Sequence, residues 1–344
     1  MDKAFPHRRR TTLAASIAAL LLLPAAPLPA QLLDEPLQSQ DSVDAEEPRY
    51  GEPVIQLFRV GAIVTAKRGA CRDILTMVAV PIECEEQTVS LIEEDFTPNI
   101  GQVKFRDLAG GEARQMVVSI PYLESGAEAR AVLTYEVRTR TQSPPSEQAS
   151  ERLTIPRRVP SKLKRFTSPS PFIEARHPKV KKLARSVLAE IEEDAEQAAS
   201  DWLKVESLYD YVLDNIEYLE GPDTSALTTL RDGSADCHGR SALFVALCRS
   251  IGVPARMVWV QDHCYPEFYL EDEEGQGQWL PAESAGTRAF GEMPLARTIM
   301  QKGDNFRVPE RPRDRLRYAT DFLTGVPVPG SGKPSVKYLR ETVD

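Results

Sequence analysis

One stretch constrains this chain more than any other. It runs Gly233-Ser-Ala-Asp-Cys-His-Gly-Arg-Ser-Ala-Leu-Phe-Val-Ala-Leu-Cys-Arg-Ser-Ile-Gly-Val-Pro-Ala-Arg256. Leu243, Phe244, Leu247 and Ile251 recur at helical spacing. The preceding Leu230–Ala235 reads as a polar loop. Asp236, or Ser234 just before it, offers the side-chain oxygen that caps a helix start. Gly252 stands where the helix must stop, and Pro254 forbids its continuation. The pattern therefore predicts a buried helix with Cys237 in its first turn. There the helix dipole favours negative charge and helps a thiol ionise. Cys248 falls on the apolar face of the same helix, as a small core residue.

Two further stretches belong with it. Arg256 to Glu271 reads as two strands, with His263 opening the second, and Gln278 to Glu283 reads as a strand ending in a carboxylate. A thiol at a helix start, then a histidine, then an acid is the order of nucleophile, base and orienting group. A free thiol has a pKa of about 8.5, and an imidazolium neighbour together with a helix N-terminus lowers it by several units. His263 is the base this reading selects. Glu283 orients its far ring nitrogen, with Asp262 or Glu267 next in line if Glu283 falls short. The Cys237 backbone N–H, free at the helix start, is the first oxyanion donor. Tyr218 is a candidate second donor by position, and His238, rotated one helical step from Cys237, is a candidate cleft wall. Asp236 reads as a cap, and Arg240, Arg249 and Arg256 as structural or solvated charges.

These pieces together resemble the transglutaminase-like superfamily of papain-like thiol enzymes. The resemblance rests on four features. They are the Gly-x-x-Asp-Cys helix start, the Leu-Cys-Arg-Ser-Ile-Gly-Val-Pro-Ala-Arg run, the His263 that opens a Glu-Phe-Tyr-Leu strand, and the Trp-x-Pro-x-acid segment ending at Glu283. It covers roughly residues 165–300 and departs from the family at Glu283, where Asp is more usual. It implies an α+β fold, with a papain-like core of helices packed on an antiparallel sheet, and a Cys237-His263-Glu283 site. It also fits a preceding β-domain.

Zinc requires separate treatment, because Cys237-His238 and His263-Cys264 contain four ligand types. Zinc needs ligands converging on one point. Adjacent strand residues point to opposite faces, so Cys264 is expected to face away from a cleft that His263 enters. No metal is implied, and with no Gly-rich phosphate loop or calcium-loop signature no cofactor is implied either.

The remaining chain divides by composition. Residues 1–30 read as a signal peptide, with a basic His7–Arg10 start, an apolar Thr12–Leu23 core and small residues up to a cleavage point after Ala30; an uncleaved anchor is the alternative. This places the protein in a secreted or periplasmic setting. Removing the segment takes away four basic residues and one acidic residue, so the net charge of −9 becomes −12. An acidic surface argues against nucleic acid or an anionic membrane as partner; the partner expected is a protein or peptide substrate. Residues 31–50 read as a disordered lead-in. Residues 51–141 alternate with period two, as in Leu133, Tyr135 and Val137 against Thr134, Glu136 and Arg138, which predicts a β-sandwich-like domain. Within it Cys71 and Cys84 form either a disulfide across a hairpin or neighbouring strands, or two free thiols. The Pro-rich residues 142–170 read as a linker, 171–300 as the catalytic domain and 301–344 as a C-terminal extension, in which Gly325 to Pro334 is a tail or linker. Apolar stripes at Val180–Ile191 and Trp202–Ile216 predict two core helices.

A Cys-His-acid site makes an acyl-enzyme from an amide. Water as acceptor gives peptidase or amidase activity, and a lysine amine gives transamidation. The expectation is a secreted thiol enzyme acting on peptide or isopeptide amides, with hydrolysis favoured. The alternative is a catalytically silent domain that binds a peptide or glycan.

Overall fold

The computed structural model describes residues 49–194 and 198–343. The proposed signal segment, residues 1–30, and nearly all of the lead-in lie outside them. No helix among the described residues is long and apolar enough to cross a membrane.

The period-two region forms six strands: β1 (Tyr50–Thr65), β2 (Cys71–Val80), β3 (Gln87–Phe96), β4 (Gln102–Leu108), β5 (Ala113–Leu123) and β6 (Glu128–Gln142). Short helix α1 (Glu147–Arg152) follows. Next come α2 (Pro178–Asp194), α3 (Asp201–Asn215), strand β7 (Glu217–Tyr218), α4 (Ala226–Asp232), strand β8 (Ser234–Ala235) and α5 (Cys237–Ser250). Strands β9 (Ala255–Val260), β10 (His263–Glu271), β11 (Gly277–Glu283), β12 (Ala289–Phe290), β13 (Ile299–Lys302), β14 (Phe322–Pro327) and β15 (Ser335–Val343) complete the chain. The class is α+β, with almost entirely antiparallel pairing.

Two sheets face each other in the N-terminal half. One has the order β15-β1-β6-β3. The other contains β14, β2, β5 and β4 and continues through β13 into β9, β10, β11 and β12. Alternation explains the packing between them. Phe58 and Val60 of β1, and Leu133 and Val137 of β6, meet Ile74 and Val78 of β2 and Met116 and Val118 of β5 in one buried core. A second core lies where α2, α3 and α5 pack on β9, β10 and β11. Helix α5 is its centre, buried from His238 to Arg249.

The structure departs from the sequence reading at several points. Cys71 and Cys84 are free thiols. The run between them is no hairpin: Cys71 starts β2 and Cys84 lies past its far end, so a ten-residue strand at about 3.3 Å per residue keeps them apart. Residues 142–170 carry α1 and a 3₁₀ segment, Ser161–Thr167, and they are packed rather than free. Leu153 joins the helical core, Leu163 and Phe166 pack with Tyr269, and Thr154 pairs with Glu271. Gly325 to Pro334 is not a loose tail. β14 pairs with β2 and β15 pairs with β1, so the end of the chain supplies an edge strand to each sheet. Pro327 and Pro334 are compatible with this because both mark strand ends, where no ladder N–H is needed.

The junction strand β13 carries a buried charge cluster. Lys302 Nζ pairs with Glu267 at 2.7 Å and with Glu86, and Arg256 pairs with Glu267 at 2.6 Å. Burial works to raise the Glu267 pKa, but Arg256 and Lys302 outweigh it and hold the carboxyl below its ordinary range. The cluster thus links β9, β10 and β13 to the turn before β3. Lys302→Met leaves two buried carboxylates without their shared cation. We expect it to lower stability by about 3–5 kcal/mol, measured as a reduced urea midpoint at unchanged slope.

Candidate functional site

Cys237 is the first residue of α5. The Asp236 side chain caps the helix by accepting from the Gly239 N–H at 2.9 Å. That leaves the Cys237 N–H at the helix start, free of an intrahelical partner. Gly239 is required there: a Cβ would lie 2.2 Å from the Thr224 hydroxyl and 2.5 Å from the Ala235 methyl. The helix start can therefore seat closely on the loop that precedes it.

His263 opens β10 directly after a two-residue turn, Gln261-Asp262, in which Asp262 takes a left-handed conformation at φ 54°. Its Nε2 lies 3.1 and 3.0 Å from the two Glu283 carboxylate oxygens. The Cys237 thiol is the ring's other charged neighbour, and with Nε2 taken up by Glu283, Nδ1 is the nitrogen left to face it. The structure thus brings Cys237, His263 and Glu283 into one chain of contacts. Glu283 reaches the ring, whereas Glu267 is spent on Arg256 and Lys302. The carboxylate of Glu283 also accepts the Ala285 N–H at 3.0 Å and has Arg297 at 3.9 Å.

The electrostatics follow from these contacts. The Cys237 pKa is lowered to about 4, first by the Cys264 thiol, then, against the opposing effect of burial, by the neighbouring His263 ring and its charge. Burial alone pushes His263 down, but Cys237 and Glu283 outweigh it and raise the ring to about 9. Burial likewise opposes Glu283, yet the His263 bond keeps it below the ordinary carboxylate range. Between pH about 4 and about 9 the pair stands as thiolate and imidazolium.

Cys264 corrects the sequence reading. Its Sγ lies 3.9 Å from Cys237 Sγ and donates to it. Alternation along β10 is intact: Cys264, Phe268 and Leu270 pack into the α5 core, while Tyr265 lies on the opposite face. His263, however, is the terminal residue of the strand. From that end its ring meets Glu283 and lies near Cys237, so consecutive residues on opposite faces both border the Cys237 thiol.

His238 is likewise not a cleft wall. It is buried, its Nδ1 donates to the Thr224 carbonyl at 3.0 Å, and its Nε2 faces the Arg317 guanidinium at 3.4 Å. Burial lowers its pKa, which suits a neutral ring with both nitrogens engaged. Among the described residues, Asp223, Asp236 and His238 place ligand-type atoms within 4.8 Å of one another. Arg317 already pairs with Asp223 there, and Asp236 caps α5, so the local charge is balanced by a guanidinium. Tyr218 lies on β7, beside Ala235 of β8, and is 42% exposed. Burial and the nearby Cys237 raise its pKa, so it keeps its hydroxyl proton.

Residues that sequence reasoning passed over position the acid. The Tyr209 hydroxyl donates to the Glu283 backbone carbonyl at 2.5 Å and accepts the Ala289 N–H at 3.0 Å. Its place in the apolar stripe of α3 marked it only as core. From α5, Arg240 donates to the Ser284 carbonyl at 3.1 Å and the Ser241 hydroxyl meets the Ser284 hydroxyl at 2.7 Å. The helix that carries the thiol therefore grips the strand end that carries the acid.

Comparison with known proteins bears on the fold of this region. Residues 182–284 match the model of the transglutaminase-like superfamily. Among solved structures, one described as a "putative cysteine protease" from Cytophaga hutchinsonii aligns with a TM-score of 0.54 at 18% identity, covering 86% of this chain and 93% of that one. A protein described as a "putative protease" from Parabacteroides distasonis aligns with a TM-score of 0.27 at 12% identity, over 65% of this chain and 47% of that one. No curated protein matches. The segment 182–284 is thus a transglutaminase-like core, and the first of these structures shares its fold.

Two outcomes test the site. Alkylation of Cys237 should rise through a midpoint near pH 4, because the thiol is unreactive while protonated. In His263→Ala the midpoint should move toward the free-thiol value of about 8.5; stopped-flow alkylation across pH reads both. Tyr209→Phe should cost about 1–3 kcal/mol by leaving buried backbone groups unpaired, read by denaturant unfolding.

Proposed function

We propose that this chain, through the transglutaminase-like core of residues 182–284, is a thiol enzyme that cleaves peptide or isopeptide amides by way of a Cys237 acyl-enzyme. The observation that carries the proposal is the Cys237 thiol at a helix start, beside a His263 ring whose Nε2 is held by Glu283.

The steps follow from the charges. The Cys237 thiolate attacks the amide carbonyl carbon, and the oxygen takes up negative charge facing the Cys237 backbone N–H. Tyr218, exposed and protonated, is the candidate second donor. Collapse expels the amine, which takes the proton of the His263 imidazolium. The now neutral ring removes a proton from water, whose oxygen attacks the thioester. Release of the acid restores thiolate and imidazolium. Glu283 holds the ring in the orientation that both transfers need and stabilises its charged form. Water is the acceptor we favour; a lysine amine entering at the same step gives transamidation instead. The description of the Cytophaga protein names the same reaction class.

We further propose a secreted or periplasmic setting, on the basic, apolar and small-residue succession of residues 1–30, and a protein or peptide as substrate, on the amide chemistry of the site.

Activity against a library of peptide and isopeptide amides, with and without added amine, tests the proposal. kcat/KM should follow a bell. It rises through about pH 4, as the thiol ionises, and falls through about pH 9, as the imidazolium loses the proton owed to the leaving amine. Cys237→Ser should abolish turnover, and mass spectrometry of the wild type should trap a thioester on Cys237. A flat profile with no trapped thioester would reassign the cleft to peptide or glycan binding.

A further inference from the structure

All five cysteines are free thiols, and two of them meet at the nucleophile. Cys237 and Cys264 are 27 residues apart in sequence, yet their sulfurs lie 3.9 Å apart. They sit on different elements, the start of α5 and the second residue of β10. Cys264 is buried, at 2% exposure, while Cys237 is half-buried. A disulfide needs the sulfurs to close from 3.9 Å to about 2.0 Å.

No bond made or broken in the hydrolytic steps above involves the Cys264 sulfur, which only donates to Cys237. What a second sulfur adds beside a thiolate is the capacity to capture that thiolate once it has been oxidised.

We infer that Cys264 is a resolving thiol, and that Cys237 and Cys264 form a reversible intramolecular disulfide when the enzyme meets hydroperoxide. The inference rests on the reading of Cys237 as a reactive nucleophile. In the first step the Cys237 thiolate attacks one peroxide oxygen and the O–O bond breaks. The leaving oxygen takes the His263 proton and departs as water, or as an alcohol from an organic peroxide, leaving a sulfenic acid on Cys237. In the second step the Cys264 sulfur attacks the sulfenic sulfur and the S–O bond breaks. The Cys264 proton passes to the departing hydroxide, by way of the neutral His263, and a second water leaves. Two thiols and one peroxide thus become one disulfide and two waters. The nucleophile is withdrawn from amide chemistry and shielded from further oxidation to the sulfinic acid, which thiols cannot reverse. An external dithiol restores both groups.

The test uses the full chain, reduced and then exposed to hydrogen peroxide, with Cys264→Ala and Cys264→Ser alongside. Each protein is compared with its own reduced sample, because Cys264 also contacts the nucleophile. Serine keeps a hydroxyl donor at the position but cannot form the bond, which separates lost redox capture from lost packing. Peptide mapping of the oxidised wild type should show the Cys237 and Cys264 peptides linked. Cys237 alkylation should be lost on oxidation and regained with dithiothreitol. In both variants it should be lost and not regained, with Cys237 recovered as the sulfinic acid. Cys237 that is reactive below neutral pH but gives sulfinic acid without a cross-link in the wild type would overturn the inference and leave the proposed function standing. A reduced Cys237 with ordinary thiol reactivity would overturn both.

Discussion

The burial of α5 is the constraint on which the rest depends. A helix buried from His238 to Arg249 has no solvent for its polar side chains, so each must find a partner within the protein. Arg240 finds the carbonyls of Ile216 and Ser284. Arg249 finds Asp304 at 2.6 Å, the Ala255 and Ser168 carbonyls and the Ser170 hydroxyl. Ser241 finds Ser284. These requirements draw four separate parts of the chain onto one helix: the end of α3, the end of β11, the segment after α1 and the residues following β13. The charges are costly to bury and worth little as net stability once paired. They fix where the neighbouring segments lie.

That positional control is what the chemistry uses. The Cys237 thiol belongs to α5, the His263 ring to the start of β10 and the Glu283 carboxylate to the end of β11. Helix and strands are held together by hydrophobic packing under Phe244 and Phe268 and by the polar grip on Ser284. Tyr209 then secures the Glu283 main chain from the opposite side. The acid is placed by bonds to its backbone and its neighbours, so its carboxylate remains free to engage the His263 ring. The ion pair at the site follows from contacts made elsewhere in the core.

The β-layers and the helical core are joined through β13, which pairs with β5 on one side and β9 on the other. The last strands of the chain return to the first, as β14 on β2 and β15 on β1. A β-sandwich whose edge strands come from the far end of the sequence leaves β1 and β2 paired on both sides, with β15 and β14 as the edges in their place. Arg317 and Tyr318, on the path back, lie against His238 and Trp259 beside the site.

Local physics determined much of this protein from the sequence by itself. The helix with Cys237 in its first turn, its Asp236 cap and its stop at Gly252 are properties of neighbouring residues, as are the alternating strands and the order thiol, histidine, acid. Glu283, one methylene longer than Asp, was legible as the first candidate acid, with Asp262 and Glu267 left open, and the structure places its carboxylate on the His263 ring. What the tertiary structure decided was everything that depends on distance between segments. Alternation correctly separates His263 from Cys264 across the strand. It cannot show that a helix start overhangs the strand end, where both sides reach one sulfur. Composition marks residues 142–170 as Pro-rich and 301–344 as irregular, but their packing is set by buried arginines and unpaired strand edges elsewhere in the chain. The same holds for Cys71 and Cys84: their spacing permits a hairpin, and the decision for one continuous strand comes from the partners of β2 on either side. Hydrogen-bond satisfaction and edge pairing are non-local demands, and they are met only when the chain has folded.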